Sequence, residues 1–238
     1  MHLLRYISVL LLCLCCFASG ALAQQRKVQH KPFIDERRFH YGFTFGLHDQ
    51  SLSLENNGYV DPETGAQWLA ENDRPGVGFS VGVLGEWKLN QYFALRLIPS
   101  LHFGSKHIEF RNLQNGETVS QDLKSSYIAL PFDIKAAAPR FNNYRPYVLA
   151  GIQPMLDLTS ATQGRIRTQP MNFMVEVGMG CDLYLPFFKL IPELKFCFGL
   201  GNVLDKKRTD LNDPTKKIFT QSLNGASVSM VVLSFYFE

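Results

Sequence analysis

The chain has 238 residues, with 24 Lys and Arg against 21 Asp and Glu, a formal charge of +3. So even a balance, with no basic run longer than Lys206-Lys207-Arg208, excludes an extended electrostatic surface for nucleic acid. Hydrophobic residues make up 46% of the chain, enough for a large core, yet beyond residue 23 no apolar stretch is long enough for a membrane-spanning helix.

Residues 1–23 read as an export signal. His2 and Arg5 give a basic start, residues 7–17 an apolar run, and Ala21-Leu22-Ala23 an A-x-A site, so cleavage is expected between Ala23 and Gln24. Cys13, Cys15 and Cys16 offer a lipoprotein reading, but none follows the small residue that lipoprotein processing prefers. Residues 24–37 then form a short N-terminal segment. The mature cysteines, Cys181 and Cys197, fall on opposite strand faces, and no disulfide is expected.

From residue 38 onward, alternation with period two marks eight strands. The first, 38–48, sets Phe39, Tyr41, Phe43, Phe45 and Leu47 against His40, Gly42, Thr44, Gly46 and His48. The second, 77–87, sets Phe79, Val81, Val83 and Trp87 against Gly78, Ser80, Gly82 and Glu86. The third, 92–104, carries Phe93, Leu95, Leu97, Leu101 and Phe103 opposite Arg96, Ser100 and His102. The fourth, 124–135, presents Ile128, Leu130, Phe132 and Ile134, with Ser126 breaking that face. The fifth, 145–156, presents Val148, Ala150, Ile152, Pro154 and Leu156. The sixth, 171–184, alternates Phe173, Val175, Val177, Met179, Cys181 and Leu183 with Glu176, Asp182 and glycines. The seventh, 189–200, sets Leu190, Leu194, Phe196, Phe198 and Leu200 against Glu193 and Lys195. The eighth, 228–237, shows Ser229, Val231, Leu233, Phe235 and Phe237 on one face. An aromatic strand in this position leaves an open edge unless it pairs with the first strand.

Connections alternate in length. Residues 88–91 and 185–188 are tight and 136–144 moderate, whereas 49–76, 105–123, 157–170 and 201–221 are long and polar. Outer-membrane barrels show this asymmetry, with short periplasmic turns and long outer loops. It places residues 24–37 and the C-terminus in the periplasm. A soluble sandwich or lipocalin-like barrel would bury the bulky faces instead, but these overfill a small interior, whereas the glycine-rich charged faces suit a crowded lumen. The expected fold is therefore all-β, an eight-stranded antiparallel up-and-down transmembrane β-barrel over residues 38–238, set in outer-membrane lipid.

In so narrow a barrel Glu86, Arg96, Asp133, Glu176, Asp182, Glu193 and Lys195 face inward and should pair with one another. Inward Ser100, His102, His40 and His48 suggest an acyl-transfer or lipid-modifying site, but no nucleophile motif such as G-x-S-x-G accompanies them. No catalytic, cofactor or metal site is expected, nor a small-molecule substrate. Tyr41, Trp87, Tyr92, Tyr127, Tyr147, Tyr184 and Tyr236 lie near strand ends and are candidates for aromatic girdles, although several have inward parity.

The segment S-S-Y-I-A-L-P-F-D-I-K (125–135), a turn, and R-P-Y-V-L-A-G (145–151) form a hairpin carrying Tyr127, Leu130, Pro131, Lys135, Arg145, Pro146, Tyr147 and Gly151. This hairpin, with the strand order and loop pattern, resembles the small outer-membrane barrels of the PorT family. The resemblance implies a non-enzymatic part in type IX secretion, which exports proteins bearing a C-terminal signal, surface proteases among them, and implies other secretion proteins as partners. A structural or adhesive surface barrel and a lipid-modifying barrel enzyme are the alternatives.

Overall fold

The computed structural model describes residues 28–61, 65–71, 76–159, 167–205 and 221–238; the signal segment and its cleavage site at Ala23 and Gln24 lie outside them. Among the described residues the strands are β1 (Phe39–Asn56), β2 (Trp68–Glu71), β3 (Gly76–Lys88), β4 (Phe93–Leu97), β5 (Ser100–Asn112), β6 (Thr118–Ala129), β7 (Phe132–Ala137), β8 (Tyr144–Asp157), β9 (Met171–Tyr184), β10 (Lys189–Gly199) and β11 (Leu223–Phe237). These strands pair antiparallel throughout.

Two pairs of these strands are single staves interrupted by proline. β4 and β5 are divided at Ile98-Pro99, and β6 and β7 at Leu130-Pro131. Proline has no N–H to give to the ladder, so it interrupts pairing and permits a bend. Its carbonyl still serves: Val83 N donates to Pro99 O (3.0 Å) and Ile98 N donates to Pro131 O (3.1 Å). With each divided stave counted once, the ring runs β1, β3, β4/β5, β6/β7, β8, β9, β10, β11 and back to β1, which is the expected eight-stranded closure. The seam runs from Phe43 opposite Phe237 to Asn56 opposite Leu223, with the Phe43 and Phe237 rings stacked at 5.0 Å.

The outward faces match the alternation in the sequence. Phe39, Tyr41, Phe43, Phe45 and Leu47 on β1 are exposed, as are Phe79, Val81 and Val83 on β3 and Ile152 and Leu156 on β8. These side chains need a hydrocarbon solvent, and backbone polar groups in hydrocarbon must pair with one another, which a closed ring accomplishes.

Past this belt, at the end opposite the short turns, the strands continue and their pattern reverses. On β1 the exposed positions become Asp49, Ser51, Ser53 and Glu55, while Leu52 turns inward at 1% exposure. On β5, Ser105 and Arg111 face out, while Ile108 and Phe110 are buried. The stretch 105–123, expected as a long polar loop, is therefore mostly a β5–β6 hairpin turning at residues 113–117. Likewise 49–76 contributes eight further residues to β1 and the short strand β2, which pairs with β5. Polar outward residues were read as loop because they end the apolar stripe, although the period of two persists through them.

This reversal makes a position-specific prediction. Phe43→Arg, on the lipid face, should destabilise the barrel by about 2–4 kcal/mol. Ser53→Arg, on the same face of the same strand beyond the belt, should be close to neutral. Urea unfolding in lipid vesicles, followed by migration of unheated samples on gels, would measure both.

Candidate functional site

Register brings the inward charges together. Glu86 lies opposite Arg96, Arg96 opposite Asp133, Asp133 opposite Gly151, and Gly151 opposite Glu176. Gly151 is the position that makes room: a Cβ there would sit 2.2 Å from Asp133 Oδ1. Arg96 is the hub. Its Nε donates to Glu86 Oε2 (2.7 Å), and its Nη1 donates to Glu193 Oε2 (2.6 Å) and to the Tyr147 hydroxyl (3.2 Å). Tyr147 and Tyr236 both donate to the Glu193 carboxylate, at 2.5 and 2.7 Å. Both tyrosine rings also face the guanidinium, at 4.7 and 5.6 Å.

Lysines extend the network on either side. Lys135 Nζ donates to both oxygens of Asp182 at 2.9 Å and lies 3.3 Å from Glu86. Lys189 lies 3.6 Å from Asp182 and 2.8 Å from Glu238. Lys195 lies 3.3 Å from Glu176, 3.7 Å from Asp133 and 3.9 Å from Glu193. All seven expected interior charges thus sit in one buried lattice, with Lys135, Lys189, Tyr147 and Tyr236 as further members. Strand parity alone would have placed Lys189 and Lys135 there.

The girdle assignment needs correction. Tyr41 and Trp87 are exposed on the outer wall and Tyr92 is exposed in the short turn before β4, but Tyr127, Tyr147, Tyr184 and Tyr236 are buried in the lumen. Their parity is inward, and proximity to a strand end does not override it. Of the hairpin motif, Lys135, Tyr147, Tyr127 and Gly151 line the interior, Leu130 and Pro146 face outward, and Pro131 sits at the break. Arg145 lies at the short-turn mouth, where it donates to the carbonyls of Ala138 (2.8 Å) and Gln91.

That mouth is closed by the segment preceding β1, whose single turn of 3-10 helix spans Ile34–Glu36. The Asp35 carboxylate accepts from Tyr184 (2.7 Å) and Arg140 (3.2 Å) and lies 3.7 Å from Arg145. The Asp35 carbonyl accepts from Lys88 Nζ. Arg140 lies over the Tyr184 ring at 3.6 Å. Beside them Glu238 binds His40 (2.5 Å) and Lys189 (2.8 Å). Burial on its own would raise the Glu238 carboxyl, but these two partners hold it below its ordinary range.

The opposite half of the lumen is largely apolar, with buried Gln50, Lys106, Gln153 and Asp157 among its polar members. Leu52, Ile108, Phe110, Met155, Met174, Val228, Met230 and Val232 fill it, with Trp68, Leu54 and Val119 packed against them. The sequence signal for this core is the inward parity of Ile108, Phe110 and Val228, which the expectation of inward charges does not include. A cavity beneath it, between Gln50, Lys106, Tyr127 and Met174, has a volume of only about 10 Å³, no more than one water needs. Between the two halves Ser100 Oγ lies 3.1 Å from His102 Nε2. His102 Nδ1 and both nitrogens of His48 have no hydrogen-bond partner among the described residues, so the Ser–His pair lacks an orienting acid.

Residues 22–205 match the family model described as an outer membrane protein beta-barrel domain. The chain belongs to that family. Among solved structures, the barrel is similar to the outer membrane protein OprG of Pseudomonas aeruginosa, at 12% identity and a TM-score of 0.47, covering 84% of this chain and 93% of that one. It is also similar to Neisserial surface protein A, at 8% identity and a TM-score of 0.40, covering 84% and 98%. A third is Ail of Yersinia pestis, at 13% identity and a TM-score of 0.36, covering 84% and 99%. No curated protein matches. The barrel is an outer-membrane protein, with the apolar belt of its outward faces in lipid.

Arg96→Met tests the hub. It leaves Glu86 and Glu193 buried without their cation, and removing one partner of such a pair costs about 3–5 kcal/mol. The unfolding midpoint in urea should fall accordingly, while the double variant Arg96→Met with Glu193→Gln should recover part of the loss.

Proposed function

We propose that this barrel is a non-enzymatic component or accessory factor of type IX secretion, required for export or maturation of proteins with a C-terminal signal, such as surface proteases. The observation that carries the reading is the filled lumen. A charged lattice occupies one half and an apolar core the other, so cargo passes through some other protein and this one acts through its surfaces. The hairpin resembling the PorT family supports the assignment to this pathway, with other secretion proteins as partners. In this topology the short turns, the segment before β1 and the C-terminus face the periplasm, and the β5–β6 hairpin projects outside the cell.

A structural or adhesive surface barrel is the second reading, favoured by the strand extensions that rise past the lipid belt.

Cargo location in a strain lacking the gene separates the two. Unprocessed cargo trapped in the periplasm, with surface protease activity restored by complementation, is the expected outcome; normal export would sink the secretion role and leave the adhesive one. Orientation is tested on intact cells. A cysteine at Asn115, in the β5–β6 turn, should react with an impermeant maleimide, and one at Asn90, in a short turn, should not.

A further inference from the structure

We infer that the wall formed by β1, β3, β4 and β7 carries a specific site for an anionic phospholipid, with an acyl chain in a groove at Gly85 and the phosphate against Arg37 and Arg38. The argument begins with Gly85. On the outward face of β3 the other positions from Val77 to Trp87 carry large apolar side chains, all exposed. Gly85 alone leaves a notch, and no internal contact demands it. A Cβ there would meet only Leu97 O, at an ordinary 3.6 Å, whereas inward Gly78 would place one 2.3 Å from Phe103 O. The glycine therefore leaves space for something outside the protein.

The notch is the floor of a groove of about 620 Å³ walled by Phe39, Tyr41, Trp87, Leu97 and Ile134. That volume suits a lipid chain rather than a flat annular contact. At the end nearest the short turns the groove is bounded by the stacked rings of Phe39 and Trp87, 6.1 Å apart. The next step along the same two strands is Arg38 beside Lys88, whose N–H donates to Arg38 O (2.8 Å).

There the wall gives way to a second cavity, of about 360 Å³, lined by Arg37, Arg38, Lys88, Arg140 and Arg145 against two acids, Asp35 and Glu36. Arg140 and Arg145 are held by Asp35 and by backbone carbonyls, so they set the local potential. The exposed Arg37 and Arg38 are the side chains placed to meet a ligand. A cationic crown adjoining an apolar groove, with Phe39 and Trp87 at the junction and Tyr41 beside the notch, matches the charge and polarity of an anionic phospholipid in sequence from headgroup to chain.

Full-length protein in phosphatidylcholine vesicles, with Trp68→Phe so that Trp87 is the sole tryptophan, provides the test. Brominated phosphatidylglycerol should quench Trp87 at a lower mole fraction than brominated phosphatidylcholine does. Arg37→Gln and Arg38→Gln should weaken that preference by about five-fold each. Gly85→Leu, whose Cβ would meet Leu97 O at an ordinary 3.6 Å and whose side chain would occupy the notch, should reduce quenching by either lipid. Each variant is first shown to fold by its unheated gel migration. Equal quenching of the parent by both lipids would overturn the site, as would a preference that survives both arginine substitutions. Displacement by free inorganic phosphate at millimolar concentration would also overturn it, showing an anion pocket without a lipid site.

Discussion

A peptide group in hydrocarbon has no water to bond, and each orphaned donor or acceptor costs several kcal/mol. This constraint governs the whole molecule. It requires β11 to return to β1, and it fixes the register at that seam, because a slip of one residue would turn every outward Phe and Leu into the lumen. With the register fixed, the inward side chains are in turn committed to definite neighbours. Glu86 meets Arg96 because β3 meets β4, and Asp133 finds space because β8 presents Gly151 to it.

The lumen follows from the same closure. Eight staves leave room for side chains and little else. Charges buried in so small a space are costly unless paired, and the lattice sets its acids against Arg96, Lys135 and Lys195, with Asp133 meeting Lys195 at 3.7 Å and no hydrogen bond to either of its oxygens among the described residues. The tyrosines contribute where a second charge would be excessive: Tyr147 and Tyr236 cap both oxygens of Glu193 without adding a cation. The segment before β1 then completes the short-turn end by lending Asp35 to Tyr184 and Arg140.

Much of the wall was legible in the sequence because parity is a local property. Phe39 to Leu47 and Val231 to Phe237 declare an outward face without reference to any other part of the chain. The lattice was legible only in membership. That Lys195 lies near Glu176 and Asp133 depends on the registers of β7, β8, β9 and β10 together, which no local pattern encodes. The apolar half of the lumen was hidden for a different reason. Leu52, Ile108 and Phe110 have the same parity as the charged residues, so a rule that assigns apolar residues outward has to be reversed partway along one strand. The reversal point, between Leu47 and Asp49 on β1 and between Phe103 and Ser105 on β5, marks where the lipid ends, and only the folded wall shows that it lies at the same level on both strands.

Because the staves run unbroken through that reversal, their length says nothing about bilayer thickness. A barrel ending at the headgroups can ride up or down until its turns meet resistance. Here a displacement of one rung toward the short-turn end would draw Asp49 and Ser105 into hydrocarbon, and one in the other direction would lift Leu47 and Phe103 into water. The immersion depth is thus gauged by side chains partway along β1 and β5, and a thinner or thicker membrane would have to adjust to the barrel.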